Sequence, residues 1–569
     1  MQTEQTTADA VLDTALTALT AGEQSWSRLP LRGRRALLDE VRALTARHAR
    51  EWVDAAVRIK KLDLDSSLVG EEWLSGPYVF ASSLAALSRS LEALERGKSP
   101  LAEATFGSAG DHVTVRALPS NLYDELLLSG FRAEVWLQRG VSSAAAKANA
   151  GLAQLNPART HGIGAVLGAG NITSIAPLDT LYELIAHNRV VALKLNPVTD
   201  PMLPVFEKIF APLIGLGAVR ILTGGADLGG RLVADERVAH VHMTGSAVTH
   251  DAIVWGPGAE GEKRKAAGTP KLDKPISSEL GGVSPTIVVP GDWSADDLEF
   301  QARHLATQRL HNGGYNCVAA QAIIISADWP QKDRFLAALT AAIERAPARA
   351  AYYPGSDDRV AAAHASYPAA RRLGERGERL LVTGLDPDGE TLFTSEYFAP
   401  VLGVVELPGT GAAFARAAAD TANEKLTGTL GVNIVAHPDT IAELGAEFDG
   451  LIERLRYGTV AVNAWTAVGY LTPTASWGAY PGHTLDDVQS GIGVVHNAWL
   501  IDRIERTVVR GPFRPAPRSV LHGEWALTPN PPWFVDNRTA AQTGRLLTGF
   551  ATDPRWTRLP AIFASALRG

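Results

Sequence analysis

His161–Pro197 reads HGIGAVLGAGNITSIAPLDTLYELIAHNRVVALKLNP, and this stretch decides the fold. Its two apolar runs, Gly162–Leu167 and Val190–Leu195, lie on either side of a helical segment over Asp179–His187. A strand, a returning helix and a second strand make one βαβ crossover with parallel strands. The stretch therefore predicts that the polar residues following both strands meet at one sheet edge, where open α/β sheets bind ligands.

Short apolar runs of the same kind recur on both sides of a break near residue 283. They are Val219–Leu222, Val238–Met243, Thr286–Val289, Ala322–Ile325, Val401–Val405 and Gly431–Val435. Helical periodicity covers about residues 8–60 and about Tyr78–Glu95. Strands alternating with helices indicate an α/β fold with two doubly wound, Rossmann-like domains.

The composition excludes several classes of protein. The 569 residues carry a net charge of −7 with both signs mixed, which gives no basic footprint for nucleic acid. The single cysteine excludes an intrachain disulfide and fits a reducing compartment. The N-terminus has no signal-peptide pattern, and no apolar run has the roughly 18 residues of a membrane span. We therefore expect a cytoplasmic protein without a membrane span.

That cysteine, Cys317, stands in a Gly- and Asn-rich turn. A lone cysteine is usually a buried apolar residue, but other segments of the chain favour nucleophilic chemistry. These segments are Gly168–Asn171, Val190–Lys194, Met243–Ser246, Ser278–Pro285, Asn312–Cys317, Ser395–Pro400 and Ser490–Gly493. In this order, and with Asn171 and Lys194 separated by 23 positions, the set resembles the aldehyde dehydrogenase superfamily over about residues 140–495.

The resemblance implies a catalytic role for three residues. Cys317 would attack the aldehyde carbonyl, and the Asn171 amide with the Cys317 N–H would hold the oxyanion. Glu279 would act as general base, either on the thiol or on the water that hydrolyses the thioester. Without its Leu280-Gly281-Gly282 neighbours, Glu279 would be interpreted as a helix-cap or salt-bridge carboxylate; with them and Cys317, the catalytic interpretation is favoured.

The resemblance also implies NAD or NADP as the cofactor. The Gly245-Ser246 pair would begin a helix that meets the pyrophosphate, and Lys194 would bind the adenosine ribose. Glu396 would bind the nicotinamide ribose, and Phe398 would pack beside the nicotinamide ring. Pro197 stands where the family often has an acidic residue, so the repulsion against a 2′-phosphate is missing and NADP becomes acceptable. His240 and His242 share a strand face, but no third ligand supports a metal site.

By the same resemblance the chain divides into six parts. We expect N-terminal helices and the first part of the cofactor-binding domain over 1–135, an oligomerisation segment over 136–160, the NAD(P)-binding domain over 161–282, the catalytic domain over 283–474, a bridging segment over 475–498, and a Pro- and Trp-rich extension over 499–569. The β oligomerisation segments, about Ala133–Asn156 and Ala475–Asn497, imply a homodimer or homotetramer.

Three functions remain open from the sequence. The first is NAD(P)-dependent oxidation of an aldehyde to a carboxylic acid through a thiohemiacetal and a thioester. The second is a CoA-acylating aldehyde dehydrogenase, or acyl-CoA reductase, in which a thiol and not water accepts the acyl group; Glu279 favours hydrolysis. The third is a non-catalytic scaffold of the same fold.

Overall fold

The computed structural model describes residues 2–569, with side chains from residue 9 onward. This part of the chain forms nineteen strands. They are β1 (Phe106–Ala109), β2 (His112–Leu118), β3 (Arg132–Leu137), β4 (Ile163–Leu167), β5 (Val190–Lys194), β6 (Val219–Leu222), β7 (Val238–Gly245), β8 (Ile276–Leu280), β9 (Pro285–Val288), β10 (Ala322–Ser326), β11 (Arg371–Leu373), β12 (Arg379–Leu385), β13 (Val401–Leu407), β14 (Gly431–Val435), β15 (Thr459–Val462), β16 (Ser476–Gly478), β17 (Gly491–Ile492), β18 (Val494–Asn497) and β19 (Ile504–Arg510).

Helices alternate with these strands and also cover both ends of the chain. They are α1 (Gln2–Arg28), α2 (Leu31–Ile59), α3 (Val69–Trp73), α4 (Val79–Glu95), α5 (Leu122–Leu127), α6 (Ser143–Asn149), α7 (Ile175–Ile185), α8 (Leu203–Ile209), α9 (Ala211–Leu216), α10 (Ala226–Ala234), α11 (Ala247–Val254), α12 (Gly258–Ala267), α13 (Ala295–Leu310), α14 (Lys332–Arg345), α15 (Ser356–Ser366), α16 (Thr391–Thr394), α17 (Gly411–Lys425), α18 (Pro438–Leu444), α19 (Ala446–Arg454), α20 (Ala467–Leu471), α21 (Arg518–Leu521), α22 (Ala540–Thr552) and α23 (Leu559–Ala566).

A six-stranded sheet with the order β17-β8-β7-β4-β5-β6 forms the first half of the molecule. β4 pairs in parallel with β5 and β7, and β7 pairs in parallel with β8. β5 reads VVALK and is buried along its whole length, as expected for an inner parallel strand covered on both faces. The βαβ crossover expected from His161–Pro197 is therefore present as β4, α7 and β5.

An eleven-stranded sheet with the order β1-β2-β3-β19-β15-β14-β9-β10-β13-β12-β11 forms the second half. Its centre, from β15 to β13, is parallel, and helices such as α13 and α17 pack on it. All eight apolar runs singled out in the sequence form strands of these two sheets. The α/β fold with two Rossmann-like sheets is thus confirmed.

Two of the expected domain boundaries do not follow the sheets. The expected division places β1 and β2 in the first part of the cofactor-binding domain and puts its border within β3. All three strands instead extend the eleven-stranded sheet. β19 was assigned to the extension over 499–569, but it lies inside that sheet between β3 and β15. β19 has the sequence IERTVVR, in which four of the seven residues are polar, so the sequence does not indicate an inner strand. Six of its seven residues are nevertheless buried. Only the residues after β19 form the extension. Among the described helices, none combines the length and the hydropathy needed to cross a membrane.

Candidate active site

Cys317 lies in an irregular segment between α13 and β10, just after a 3₁₀ turn over His311–Gly314. Asn312 holds this segment in shape with a left-handed backbone (φ 55°), and its Nδ2 donates to the carbonyls of Asn171 (3.1 Å) and Tyr315 (3.0 Å). Asn316 donates from Nδ2 to the His311 carbonyl at 3.0 Å. The asparagines around the cysteine therefore fix the backbone that presents the thiol.

The three residues with an expected catalytic role lie side by side. Cys317 Sγ is 3.4 Å from Glu279 Oε1, and Glu279 comes from β8 of the six-stranded sheet. Asn171 follows β4 and donates from Nδ2 to the carbonyl of Tyr315 at 2.9 Å, two residues before the cysteine. Among the described residues, no group accepts the Cys317 N–H. A thiol, a carboxylate, an amide and a free N–H thus converge where the two sheets meet.

Burial dominates the electrostatics of this group. The pKa of the Cys317 thiol is well above its usual range because of desolvation and the nearby Glu279 carboxylate. Desolvation also raises the pKa of Glu279, which is 1% exposed. Trp477 Nε1 donates to Glu279 Oε1 at 2.8 Å, while Oε2 has no protein partner within the described chain. The thiol is therefore protonated at neutral pH, and a carboxylate that can accept its proton is in contact with it.

A cleft of about 1220 Å³, which we name the wide cleft, opens on one side of Cys317. All eight residues that the sequence singled out contribute to its wall: Asn171, Lys194, Gly245, Ser246, Glu279, Cys317, Glu396 and Phe398. The ends of β5, β7 and β8 supply four of these positions, and Asn171 lies in the loop that follows β4, as expected for an open α/β sheet.

At the far end of the wide cleft, Ser246 begins α11 and caps it, since its Oγ accepts from the Thr249 N–H at 3.2 Å. Lys194 ends β5, is 7% exposed, and has a lowered pKa because of desolvation. Pro197 lies in the same wall, whereas the nearby acid Asp200 does not. Arg231 also lines this end and was missed, because a single arginine in α10 carries no signal in the sequence.

Glu396 and Phe398 occupy the end of the cleft nearer Cys317. Glu396 packs over Gly281, where an added Cβ would come within 2.1 Å of Oε1. Desolvation raises the pKa of Glu396 to about 8, and its buried Oε1 has no partner in the described part of the chain. Phe398 adopts a left-handed backbone (φ 45°) that costs free energy, and Arg359 donates to its carbonyl at 3.2 Å.

A second, narrower cavity of about 50 Å³ opens on the other side of Cys317, and we name it the apolar pocket. Asn171, Glu279 and Cys317 border both cavities. Four large aromatic side chains line the apolar pocket: Trp465, Tyr470, Trp477 and Trp533. Sequence reasoning did not select them, because aromatic residues far apart in the chain have no common spacing. Cys317 therefore lies at the junction of a wide cleft that carries charged side chains and an apolar pocket whose only acidic or basic side chain from Asp, Glu, Lys or Arg, within the described residues, is Glu279.

Residues remote in sequence support the cysteine segment and were also missed. Glu71, from α3, accepts the Asn312 N–H at 3.0 Å and pairs with Arg349 at 2.5 Å. Tyr352 donates from its hydroxyl to the Asn171 carbonyl at 3.1 Å. These buried contacts connect the oxyanion asparagine and the cysteine segment to the N-terminal helices, and only the tertiary structure reveals them.

The histidines of β7 have carboxylate partners. His240 Nδ1 is 3.2 Å from Glu183 Oε1, and His242 Nε2 is 3.5 Å from Asp179 Oδ2. Over residues 9–569, whose side chains the structure describes, no group of three or more His, Cys, Asp or Glu side chains is arranged to hold a metal ion. The two histidines therefore face buried carboxylates, Glu183 and Asp179.

Known proteins are similar to this chain in sequence and in fold. The model of the aldehyde dehydrogenase family matches residues 138–360. The N-succinylglutamate 5-semialdehyde dehydrogenase of Novosphingobium aromaticivorans is 32% identical over 173 residues, which cover 30% of this chain and 33% of that protein. The chain spans between 32% and 62% of the length of the curated relatives it matches.

Solved structures match over a larger share of the chain. Indole-3-acetaldehyde dehydrogenase in complex with NAD⁺ superposes with a TM-score of 0.58 at 18% identity, covering 89% of both chains. The NADP-dependent glyceraldehyde-3-phosphate dehydrogenase from Bacillus halodurans, complexed with NADP, gives a TM-score of 0.58 at 16% identity, covering 88% of this chain and 91% of that one. The fold is therefore that of aldehyde dehydrogenases, and residues 138–360 are similar in sequence to the aldehyde dehydrogenase family.

Proposed function

We propose that this protein oxidises an aldehyde to a carboxylic acid, with NAD or NADP as oxidant and a thioester on Cys317 as intermediate. One observation carries the proposal: Cys317 Sγ lies 3.4 Å from Glu279 Oε1, beside Asn171, at the junction of the wide cleft and the apolar pocket. In this arrangement the six-stranded sheet is the cofactor-binding domain and the eleven-stranded sheet is the catalytic domain.

The residues of the wide cleft fit a dinucleotide. Glu396 Oε1 is buried without a partner, and a ribose hydroxyl would supply one. Lys194 would bind the other ribose, and the Gly245-Ser246 start of α11 would face the pyrophosphate. Phe398 would pack against the nicotinamide, which, when bound, supplies the hydride acceptor. NAD and NADP are both candidates for this site, because Pro197 adds no carboxylate to the cleft wall that would repel the 2′-phosphate of NADP.

In the first half-reaction, Glu279 accepts the proton of Cys317 Sγ, and the sulfur bonds to the aldehyde carbon. The carbonyl oxygen becomes an oxyanion, to which Asn171 Nδ2 and the Cys317 N–H donate. One such donor is typically worth about 3 kcal/mol of transition-state stabilisation. The aldehyde hydrogen then leaves as hydride, for which the oxidised nicotinamide would be the acceptor, and an acyl thioester remains on Cys317. Glu279 releases the proton of the thiol to solvent and is again a carboxylate before the second half-reaction.

In the second half-reaction, Glu279 takes a proton from a water molecule that attacks the thioester carbon. The carbon–sulfur bond breaks, the carboxylic acid leaves, and the thiol of Cys317 is regenerated. The uncoordinated Oε2 of Glu279 is free to bind this water while Trp477 holds Oε1. The net reaction consumes one aldehyde, one water and one oxidised cofactor per acid.

The test is reduced-nicotinamide formation from a panel of aldehydes with NAD or NADP, without and with coenzyme A. We expect turnover without coenzyme A. Turnover that requires coenzyme A would instead assign the chain to the acylating class. No turnover across the panel, with a Cys317 thiol that alkylates no faster in native than in unfolded protein, would leave the scaffold reading.

We further propose that the protein forms a homodimer or homotetramer. β3 has partners on both edges, so the backbone of the expected segment Ala133–Asn156 is closed to a second copy there. β1 and β11 are the two edge strands of the same sheet and both are partly exposed. β1 precedes the expected segment in the chain, so we propose it as the strand that pairs with a second copy. Light scattering of the purified chain would give a dimer or tetramer mass, and a monomer would contradict this proposal.

A further inference from the structure

A second cavity of about 60 Å³, which we name the outer pocket, lies next to the apolar pocket. The two cavities share three lining residues, Leu74, Leu471 and Trp533. These three side chains form the partition between the two cavities, on a path that leads away from the thiol.

The C-terminal extension supplies nearly half of the residues that line the outer pocket. These residues are Pro512, Arg514, Pro515, Ala526, Thr528, Pro531, Pro532, Trp533 and Leu547. The remainder of the wall comes from the chain around α3 and α5, from α13 and from α20, and includes Tyr78, Phe131 and Phe300. The extension is thus a wall of the path and not a separate unit.

We infer that residues 512–547 complete a narrow apolar tunnel that receives the hydrocarbon chain of a linear, uncharged aliphatic aldehyde. This inference rests on the proposed function, since it places the aldehyde carbon at Cys317 and the alkyl chain in the tunnel. It names the substrate class and gives the extension a role in selecting it.

The tunnel offers no free charge to a polar substrate. Among the described residues, the outer pocket is lined by one Arg, Lys, Asp or Glu side chain, Arg514, and the apolar pocket by one, Glu279. Arg514 is already paired with Glu524 at 2.9 Å and with Asp297 at 3.3 Å. His311 packs against Trp465, and burial lowers its pKa to about 4, so it is neutral. A substrate carboxylate would therefore be desolvated without a counter-ion.

The size of the tunnel favours a slender chain. A water molecule needs about 10–15 Å³ by the same measure of cavity volume, so each pocket holds roughly four atoms of that size. A linear chain of about eight carbons would fill both pockets, whereas a branched or polycyclic group would not pass Leu471 and Trp533. Each buried methylene should raise kcat/KM by about fourfold.

The test compares octanal with propanal as substrates, and butanal with succinic semialdehyde. In the parent protein we expect kcat/KM for octanal to exceed that for propanal by about 1000-fold, since octanal carries five more methylenes. Succinic semialdehyde, which has the same chain length as butanal but carries a carboxylate, should be at least tenfold poorer. Equal values in either pair would overturn the corresponding part of the inference.

Variants then locate the selectivity in the extension. Leu547→Trp fills the outer pocket, and the octanal-to-propanal ratio should fall at least tenfold. Thr528→Trp also fills the outer pocket, but from a half-buried position. It replaces Leu547→Trp in this comparison if Leu547→Trp does not fold. Leu521→Trp is the matched control, because Leu521 lies in the same extension but is 79% exposed. A ratio that falls equally in Leu521→Trp, or in none of the three, would contradict the tunnel.

Binding of the unreactive octanamide, measured by calorimetry, separates this inference from the proposed function. If the parent binds octanamide, Thr528→Trp does not, and no aldehyde is oxidised, the tunnel stands and the proposed function fails. If propanal is oxidised but octanamide does not bind and octanal has no advantage, the function stands and the tunnel fails.

Discussion

The two sides of Cys317 differ in how the chain builds them. Much of the wide cleft is made by residues at or after the ends of neighbouring parallel strands between residues 167 and 281, and Cys317, Tyr353, Arg359, Glu396 and Phe398 complete it. The apolar pocket and the outer pocket are made by segments near residues 74, 311, 470 and 533. Parallel sheet topology gathers polar groups at one edge, whereas an apolar wall can be assembled from any segments that bury a side chain. The polar side is therefore the more predictable of the two.

The largest loss of activity should come from substituting Cys317, which borders both the wide cleft and the apolar pocket. Cys317→Ala removes the sulfur that bonds to the aldehyde, so reduced-nicotinamide formation should fall by about 10⁴-fold or more. The affinity for NADPH should remain within about twofold of the parent, since the cofactor-contacting groups are untouched. Calorimetry would measure that affinity, and activity above about 1% of the parent would contradict the nucleophile assignment.

The second effect tests the carboxylate at the junction. Glu279→Gln keeps the size of the side chain and the acceptor for Trp477 but cannot take a proton, so kcat should fall about 10²- to 10³-fold. Glu396→Gln is the matched change on the side of the wide cleft, and it should raise the KM for the cofactor more than it lowers kcat. Comparable losses of kcat in both variants would remove the distinction between a base and a cofactor ligand.

Sequence reasoning reached the polar side because secondary structure alone places those groups. Asn171 and Lys194 follow two strands of one βαβ unit, so their proximity follows from the handedness and parallel pairing of that unit. Ser246 begins α11 directly after β7, which a Gly-Ser pair behind an apolar run indicates. The resemblance to a family then assigned expected roles to positions that the strands had already brought to one edge.

The apolar side could not be reached in the same way. Trp477 donates to Glu279 across 198 positions, and Glu71 supports Asn312 across 241 positions. No local periodicity encodes such contacts, because they depend on how the two sheets and the extension pack together. β19 was hard to place from the sequence for a related reason, since it is polar in composition but buried between β3 and β15.

The third effect concerns pH. Burial raises the pKa of Glu279, so the basic form becomes available only as the pH rises, and kcat/KM should increase with pH on the acidic limb. The Trp477 N–H stabilises the charged form, so Trp477→Phe should raise this pKa further. We expect the acidic limb to move to higher pH by about one unit, as a lost hydrogen bond of about 1.4 kcal/mol implies.

Trp465→Phe is the control for this shift. Trp465 lines the same apolar pocket, but its Nε1 donates to the Val318 carbonyl at 3.3 Å and not to Glu279. The limb should therefore stay where it is in the parent. Equal shifts in both variants would show that pocket packing, and not the hydrogen bond, sets the acidic limb.

The smallest effect concerns cofactor choice at the far end of the wide cleft. Pro197→Glu adds a carboxylate to the wall near Lys194, where a 2′-phosphate would lie. Like charges a few ångströms apart in a solvated site repel by about 1 kcal/mol, so the ratio of NADP to NAD affinity should fall about fivefold. Calorimetric titrations with NADPH and NADH would measure this ratio, and high salt should weaken the effect. Pro197→Gln has the same shape without the charge and should leave the ratio near that of the parent. If both substitutions change the ratio equally, the shape of the 3₁₀ turn over Pro197–Met202, and not charge, governs the choice of cofactor.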